Sequence, residues 1–189
     1  IQCLTGSFGI GKTRLCKLFC QQYLTEHFFT ILTPALLYHP ISQKKYTPDE
    51  IAGNVCLSIL RQLITCLSEN DIQTEDPTAE EILLQILEQA SDSPNYMPPP
   101  WNEIIDTIIR LLHAVPSPTA LIIDDIQRCS IPVYHLLNRI EDTLRTAPLY
   151  ILLTYDDKEL SISPKTAGIA KLPCFSRIFE HTITLGAMS

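Results

Sequence analysis

The sequence predicts an α/β fold in which a parallel sheet carries helices on both faces. Three observations predict it. Short apolar strand candidates alternate with segments whose apolar residues recur at helical spacing. Two strands, 121–123 and 149–153, are continuous apolar runs, the pattern of strands covered on both sides. Of the 189 residues, 46% are hydrophobic and 19% charged, so the chain can bury a core without disulfide or metal staples.

Each element has a local reason. Gln2 to Thr5 is a short apolar strand that runs into a glycine-rich turn. Residues 14–26 carry Leu15, Leu18, Phe19, Gln22 and Tyr23 at helical spacing. Phe28 to Leu32 is β-branched and aromatic and reads as a second strand. After a polar loop at 39–45, Thr47-Pro48-Asp49-Glu50 is a capping box with Pro at the first helical position. The stripe Ile51, Val55, Ile59, Leu63, Leu67 follows it. Thr78-Ala79-Glu80-Glu81 repeats the device ahead of Ile82, Leu83 and Ile86. Residues 91–100 hold Pro94, Pro98, Pro99 and Pro100 and read as a loop. Helix resumes from Trp101 to Ala114, and Pro116 and Pro118 close it. The strand Leu121 to Ile123 ends in Asp124-Asp125. Ser130 can cap a helix with Val133, Leu136, Leu137, Ile140 and Leu144 inward. Leu149 to Leu153 is a further buried strand, and Thr182 to Leu185 a last one.

Charge and cysteine content exclude several function classes. Lys+Arg is 14 and Asp+Glu 21, a net charge of −7, which argues against a general nucleic-acid binder. No apolar run approaches the roughly 20 residues that span a bilayer, so no membrane partner is expected. Seven cysteines form no Cys-x-x-Cys pair, which points to buried thiols in a reducing, cytoplasmic compartment. The chain begins without Met and without a basic leader. We read 1–189 as a single domain that is a piece of a longer protein.

The chemistry sits in Gly6-Ser7-Phe8-Gly9-Ile10-Gly11-Lys12-Thr13, a full G-x-x-x-x-G-K-[ST] phosphate-binding loop between an apolar strand and a helix. With 6 Gly in the chain, a chance match is on the order of one in a thousand. Glycines let successive N–H groups curl around an anion, and the following helix adds its positive end. Lys12 is placed to put a cation on the β- and γ-phosphates, and the Thr13 hydroxyl is a hard oxygen ligand for Mg²⁺.

Asp124 and Asp125 put acids at the carboxyl end of a buried strand, where open α/β sheets bind ligands. Asp124 is placed to hold Mg²⁺ and Asp125 to orient or activate the attacking water. The plain alternative is a helix-capping or solvated acid pair. Thr154 ends the strand 149–153 and is either a γ-phosphate contact or an ordinary strand-end residue. Arg177 lies in the loop before the last strand, either as a solvated cation or as a phosphate contact to a neighbouring subunit. The five His are scattered and receive no chemistry.

The segments GSFGIGKTRL, ALIIDDIQRCS, YILLTYDDKEL and HTITLGAMS occur in that order. Together they resemble the AAA-type ATPase core of the STAND class, and most closely the origin-recognition-like AAA module of multidomain signalling proteins. The resemblance implies a three-layer P-loop NTPase sandwich with parallel strand order 5-1-4-3-2, using ATP with Mg²⁺ as a switch. It implies that Gly6 to Thr13, with Arg14 after them, form the Walker A segment. Asp124 and Asp125 become the Walker B acids and Thr154 the sensor. It also implies partner domains in the same polypeptide (kinase, cyclase or regulatory) and nucleotide-dependent self-association. Relatives follow the two acids with x-x-Trp-x-Asp, where this chain has Arg128 and Ser130. They often place Arg after the sensor Thr-Tyr, where this chain has Asp156, which points to weak hydrolysis. The stretch that contacts adenine, the helical lid and the winged helix of the family fall outside the sequence.

Three functions follow for comparison. The first is a slow ATPase switch module in a larger signalling or regulatory protein. The second is a nucleotide-binding scaffold with little or no hydrolysis. The third is a P-loop phosphotransferase acting on a small molecule, for which no Arg-x-x-x-Arg lid segment is present. A GTPase is disfavoured because no Asn-Lys-x-Asp motif occurs.

Overall fold

Strand β1 (Gln2–Thr5) opens the chain and β4 (Leu149–Tyr155) lies near its end, yet they pair in parallel, with Gln2 opposite Leu152 and Thr5 opposite Tyr155. The computed structural model describes residues 1–24, 26–35, 45, 47–72, 101–143, 147–156, 158–159 and 180–186. Strand β2 (Phe29–Pro34) pairs with β3 (Thr119–Asp124), and β3 pairs with β4. The edge strand β5 (Thr182–Thr184) lies on the other side of β1. The five strands form one parallel sheet in the order β5-β1-β4-β3-β2. This is the expected α/β P-loop-type sandwich and the expected 5-1-4-3-2 order. All strands end at the same edge, which is where the glycine-rich loop and the paired acids emerge.

Strand β3 is buried at every position, and alternate residues feed two cores. Leu121, Ile123, Ile151, Leu153 and Cys3 belong to the larger one. It is closed by helices α2 (Pro48–Glu69), α3 (Trp101–Ala114) and α4 (Ile131–Thr143). Leu4, Ala120, Ile122 and Leu152 join Cys16, Cys20 and Leu24 on the opposite face, beneath α1 (Lys12–Phe19) and the π turn Cys20–Leu24.

Helix α2 starts where its capping box predicts. The Thr47 hydroxyl accepts from the Glu50 N–H at 3.2 Å, and the Glu50 carboxylate accepts from the Thr47 N–H at 2.6 Å. By length and hydropathy α2 is able to cross a bilayer. Its stripe Ile51, Val55, Ile59, Leu63, Leu67 is instead buried in the larger core. Each such side chain contributes about 1.5–3 kcal/mol by leaving water, so the stripe belongs to the core of the fold.

Three expectations are corrected. The helix expected over 14–26 begins at Lys12 and gives way to the π turn at Cys20. Its buried face is Lys12, Cys16, Cys20 and Leu24, whereas Leu15, Leu18 and Tyr23 are exposed. Lys12 turns back into the preceding loop, and residues four apart follow it onto the sheet. Ser130 precedes α4, but its buried hydroxyl has no partner among the described residues, and the Val133 N–H reaches the Ser130 carbonyl at 3.2 Å instead. Strand β2 runs to Pro34, beyond the expected Leu32. The helix start at Thr78, the loop at 91–100 and Leu144 lie outside the described residues.

Candidate functional site: a phosphate-binding loop facing two acids

The loop between β1 and α1 is shaped by glycine. A Cβ on Gly6 would stand 3.0 Å from Ile10 Cγ2 and 3.0 Å from the Leu185 carbonyl oxygen, so β5 and the loop close on a position without a side chain. Gly11 has φ 99° and serves as the N-cap of α1 without a side-chain cap. The first amides of α1 are thus left to a ligand or solvent, the arrangement that suits an anion.

Lys12 is buried at 7% exposure. Its ammonium donates to the Gly6 carbonyl at 2.8 Å and to the Ser7 carbonyl at 3.2 Å, closing the loop around one cation. Thr13 follows on α1, and its hydroxyl donates to Asp124 Oδ2 at 2.7 Å. Asp124 is the last residue of β3 and is 4% exposed. Its other oxygen accepts from the Thr154 hydroxyl on β4, and that hydroxyl accepts from the Asp125 N–H at 2.9 Å. Thr154 therefore bridges the two acids.

Asp125 leaves the strand with φ 60° and ψ 47°, a left-handed turn that Asp tolerates better than most residues. The 3₁₀ turn Ile126–Arg128 follows, anchored by Tyr134 of α4, whose hydroxyl donates to the Ile126 carbonyl at 3.1 Å. Burial pushes the Asp125 carboxyl above its ordinary pKa. The Arg128 guanidinium pulls it back, and the neighbouring Asp124 raises it further. Arg128 Nη1 stands 2.8 Å from Asp125 Oδ2.

Residues 1–160 match the family described as the AAA domain. The chain belongs to that family. Among curated proteins none matches this AAA domain in sequence. Its fold is similar to that of Cdc6p from Pyrobaculum aerophilum, with TM-score 0.51 and 14% identity over 97% of this chain and 38% of that one. It also aligns with a chain of Drosophila ORC bound to AT-rich DNA and Cdc6, with TM-score 0.49 and 12% identity over 98% of this chain and 48% of that one. The AAA domain spans about half the length of those chains or less.

Within the AAA domain, Lys12, Thr13, Asp124, Asp125 and Thr154 gather at the carboxyl edge of β1, β3 and β4. Ser7, Phe8, Gly9 and Arg14 are exposed along the loop and the first turn of α1, and Ile10 lies against Gly6. Asp156, expected to weaken a γ-phosphate contact, has a structural task. Its Oδ1 accepts the N–H groups of Lys158 and Glu159 at 2.9 and 3.2 Å and caps the turn after β4. Arg177 lies outside the described residues.

Sequence reasoning missed the partners of Asp125. Arg128 stands three residues on, the spacing of neighbours on one turn, and that was the available signal. Glu159, which shares Arg128 with Asp125, gave none, since it follows β4 and is remote from Arg128 in sequence.

The residues fit nucleotide and Mg²⁺. Among the described residues no group of three His, Cys, Asp or Glu is placed to hold a metal. The hard oxygens on offer are the Thr13 hydroxyl and the Asp124 carboxylate, a small set of the kind that Mg²⁺ completes with phosphate and water. A surface groove between Leu112, Pro148 and Leu149 lies at the amino ends of β3 and β4, remote from this edge.

Proposed function

We propose that this chain is the ATP-binding core of a slow Mg²⁺-dependent ATPase, used as a nucleotide switch within a larger signalling or regulatory protein. The observation that carries the reading is the Thr13–Asp124 hydrogen bond, which joins the phosphate loop to the acid-bearing strand. Membership of the AAA family supports it, since that family implies nucleotide use. The finer placement in the STAND class rests on the resemblance of the four motif segments. Partner domains in the same polypeptide and nucleotide-dependent self-association belong to the same proposal.

In this reading the loop amides from Gly6 to Thr13 bind the phosphate chain. Lys12 exchanges its two carbonyl partners for phosphate oxygens, a stronger charge-assisted bond. Thr13 and Asp124 would hold Mg²⁺, which would supply positive charge to offset that of the phosphates. Asp125 orients the attacking water and accepts its proton as the water oxygen bonds to the γ-phosphorus and the bond to the β–γ bridging oxygen breaks. Thr154 fixes the pair by holding the Asp124 carboxylate and the Asp125 amide.

The test is Asp125→Asn in the full-length protein, with ATP affinity and turnover measured together. The expected result is unchanged affinity with turnover lost by about a hundredfold or more. Turnover at the native rate would remove Asp125 from the chemistry. A second reading, a nucleotide-binding scaffold without useful hydrolysis, is favoured by one observation, that Asp125 is tied up by Arg128. A native protein that binds ATP and releases no phosphate would decide for it.

A further inference from the structure

Asp125 has no oxygen to itself. Oδ2 is paired with Arg128 at 2.8 Å, and Oδ1 accepts from the Gln127 amide at 3.3 Å. Both donors also reach one acid from the other side of the cleft. Glu159 Oε2 is 3.6 Å from Arg128 Nε and 2.8 Å from Gln127 Nε2. The side chains of Asp125 and Arg128 are only 24% and 19% exposed, so water screens their pairing weakly, whereas Glu159 is 47% exposed. Glu159 in turn is held by the turn that Asp156 caps. The exits of β3 and β4 are thereby linked through the Arg128 guanidinium and the Gln127 amide.

A carboxylate that must take a proton from water works best with its charge unneutralised and its oxygens free to turn toward the water. Here a cation on the same 3₁₀ turn opposes both conditions. We propose that Arg128 is a brake on hydrolysis: its ion pair holds Asp125 away from water activation, and Glu159 releases the brake by drawing the guanidinium off. Arg128 is thus a positioning residue acting through Asp125, and the inference rests on the reading of Asp125 as the water-activating acid. Guanidinium suits this double pairing because its fork serves two acids at once, which an ammonium does less well.

The experiment compares steady-state ATP hydrolysis by the full-length protein with its R128Q, R128K and E159Q variants, with thermal midpoints as a check on folding. R128Q is expected to raise kcat by about threefold or more, with KM for ATP held within about twofold. E159Q leaves the guanidinium wholly to Asp125 and is expected to lower kcat. R128K keeps the charge and is expected to stay nearer the native rate than R128Q. A merely structural Arg128 would lower kcat on substitution or change KM with it. The brake is overturned if R128Q hydrolyses ATP no faster than the native protein, or if E159Q and R128Q move kcat in the same direction. Asp125→Asn separates the two readings. If it is inactive while R128Q gains nothing, the acid's role stands and the brake fails. If it retains native turnover, both fail.

Discussion

Thr13 and Asp124 lie 111 residues apart in the chain and share a 2.7 Å hydrogen bond. One is the last residue of the phosphate-loop motif and the other the last residue of β3. Their contact requires β1 and β3 to end at the same edge, with α1 starting beside the acid. Thr13→Ala removes a hydroxyl that ties α1 to β3 and that, in the proposed function, would also serve a Mg²⁺ ion. We expect the gain in ATP affinity on adding Mg²⁺ to fall by about tenfold, and the fold to lose about 1 kcal/mol. Titrating a fluorescent ATP analogue with Mg²⁺ and with EDTA checks the first, and urea unfolding the second. An unaltered Mg²⁺ gain in Thr13→Ala would detach this residue from the metal.

The Lys12 side chain turns inside the loop, onto the Gly6 and Ser7 carbonyls. Lys12→Ala takes away the cation that the proposed function sets against the phosphates. ATP affinity is expected to drop by about a hundredfold, or about 2.7 kcal/mol, the size of a charge-assisted bond. The fold is expected to tolerate the change, because removing the side chain lets water reach the Gly6 and Ser7 carbonyls from the exposed stretch Ser7 to Gly9. Isothermal titration together with circular dichroism makes the measurement, and native affinity in a folded Lys12→Ala protein would refute the assignment.

The loop, the acids and the order of elements were legible because each is written locally. The motif is contiguous from Gly6 to Thr13, and the acids stand where an apolar run stops. The buried face of α1 was not legible. Leu15 and Leu18 are larger and more apolar than Cys16, yet the inward turn of Lys12 sets the register and leaves them exposed. The pairing of Asp125 was equally hidden. It depends on a left-handed backbone at a non-glycine residue, and the second acid on Arg128, Glu159, comes from beyond the end of β4. Asp156 reads in sequence as a substitution near phosphate and proves to be a turn cap.

Two glycines make opposite predictions. Gly6→Ala sets a methyl 3.0 Å from Ile10 Cγ2 and from the Leu185 carbonyl, and is expected to cost about 1–3 kcal/mol while weakening ATP binding. Gly53 lies inside α2, with no atom within 4 Å of an added Cβ. Gly53→Ala is expected to stabilise by about 0.5–1 kcal/mol and raise the thermal midpoint by about 1–4 °C without touching nucleotide affinity. Differential scanning fluorimetry of both variants tests the pair. Equal shifts would show that crowding at Gly6 does not govern the loop.

The thiols carry the pH dependence. Burial pushes Cys56 up to about 12 and raises Cys129 as well, while an unfolded thiol titrates near 8.5. Below that value both states hold the proton and pH has no leverage. Above it the unfolded chain releases a proton that the folded chain keeps, so stability falls as pH rises toward the folded value, by about 1.4 kcal/mol per pH unit for each such thiol. The urea midpoint is therefore expected to drop between pH 8 and pH 10. Cys56→Ala is expected to start lower, because it leaves a cavity, and to fall less steeply, because one titrating group is gone. A slope identical in the variant and the native protein would assign the alkaline loss to other groups, foremost the thiols of Cys129, Cys3 and Cys16, which burial raises too.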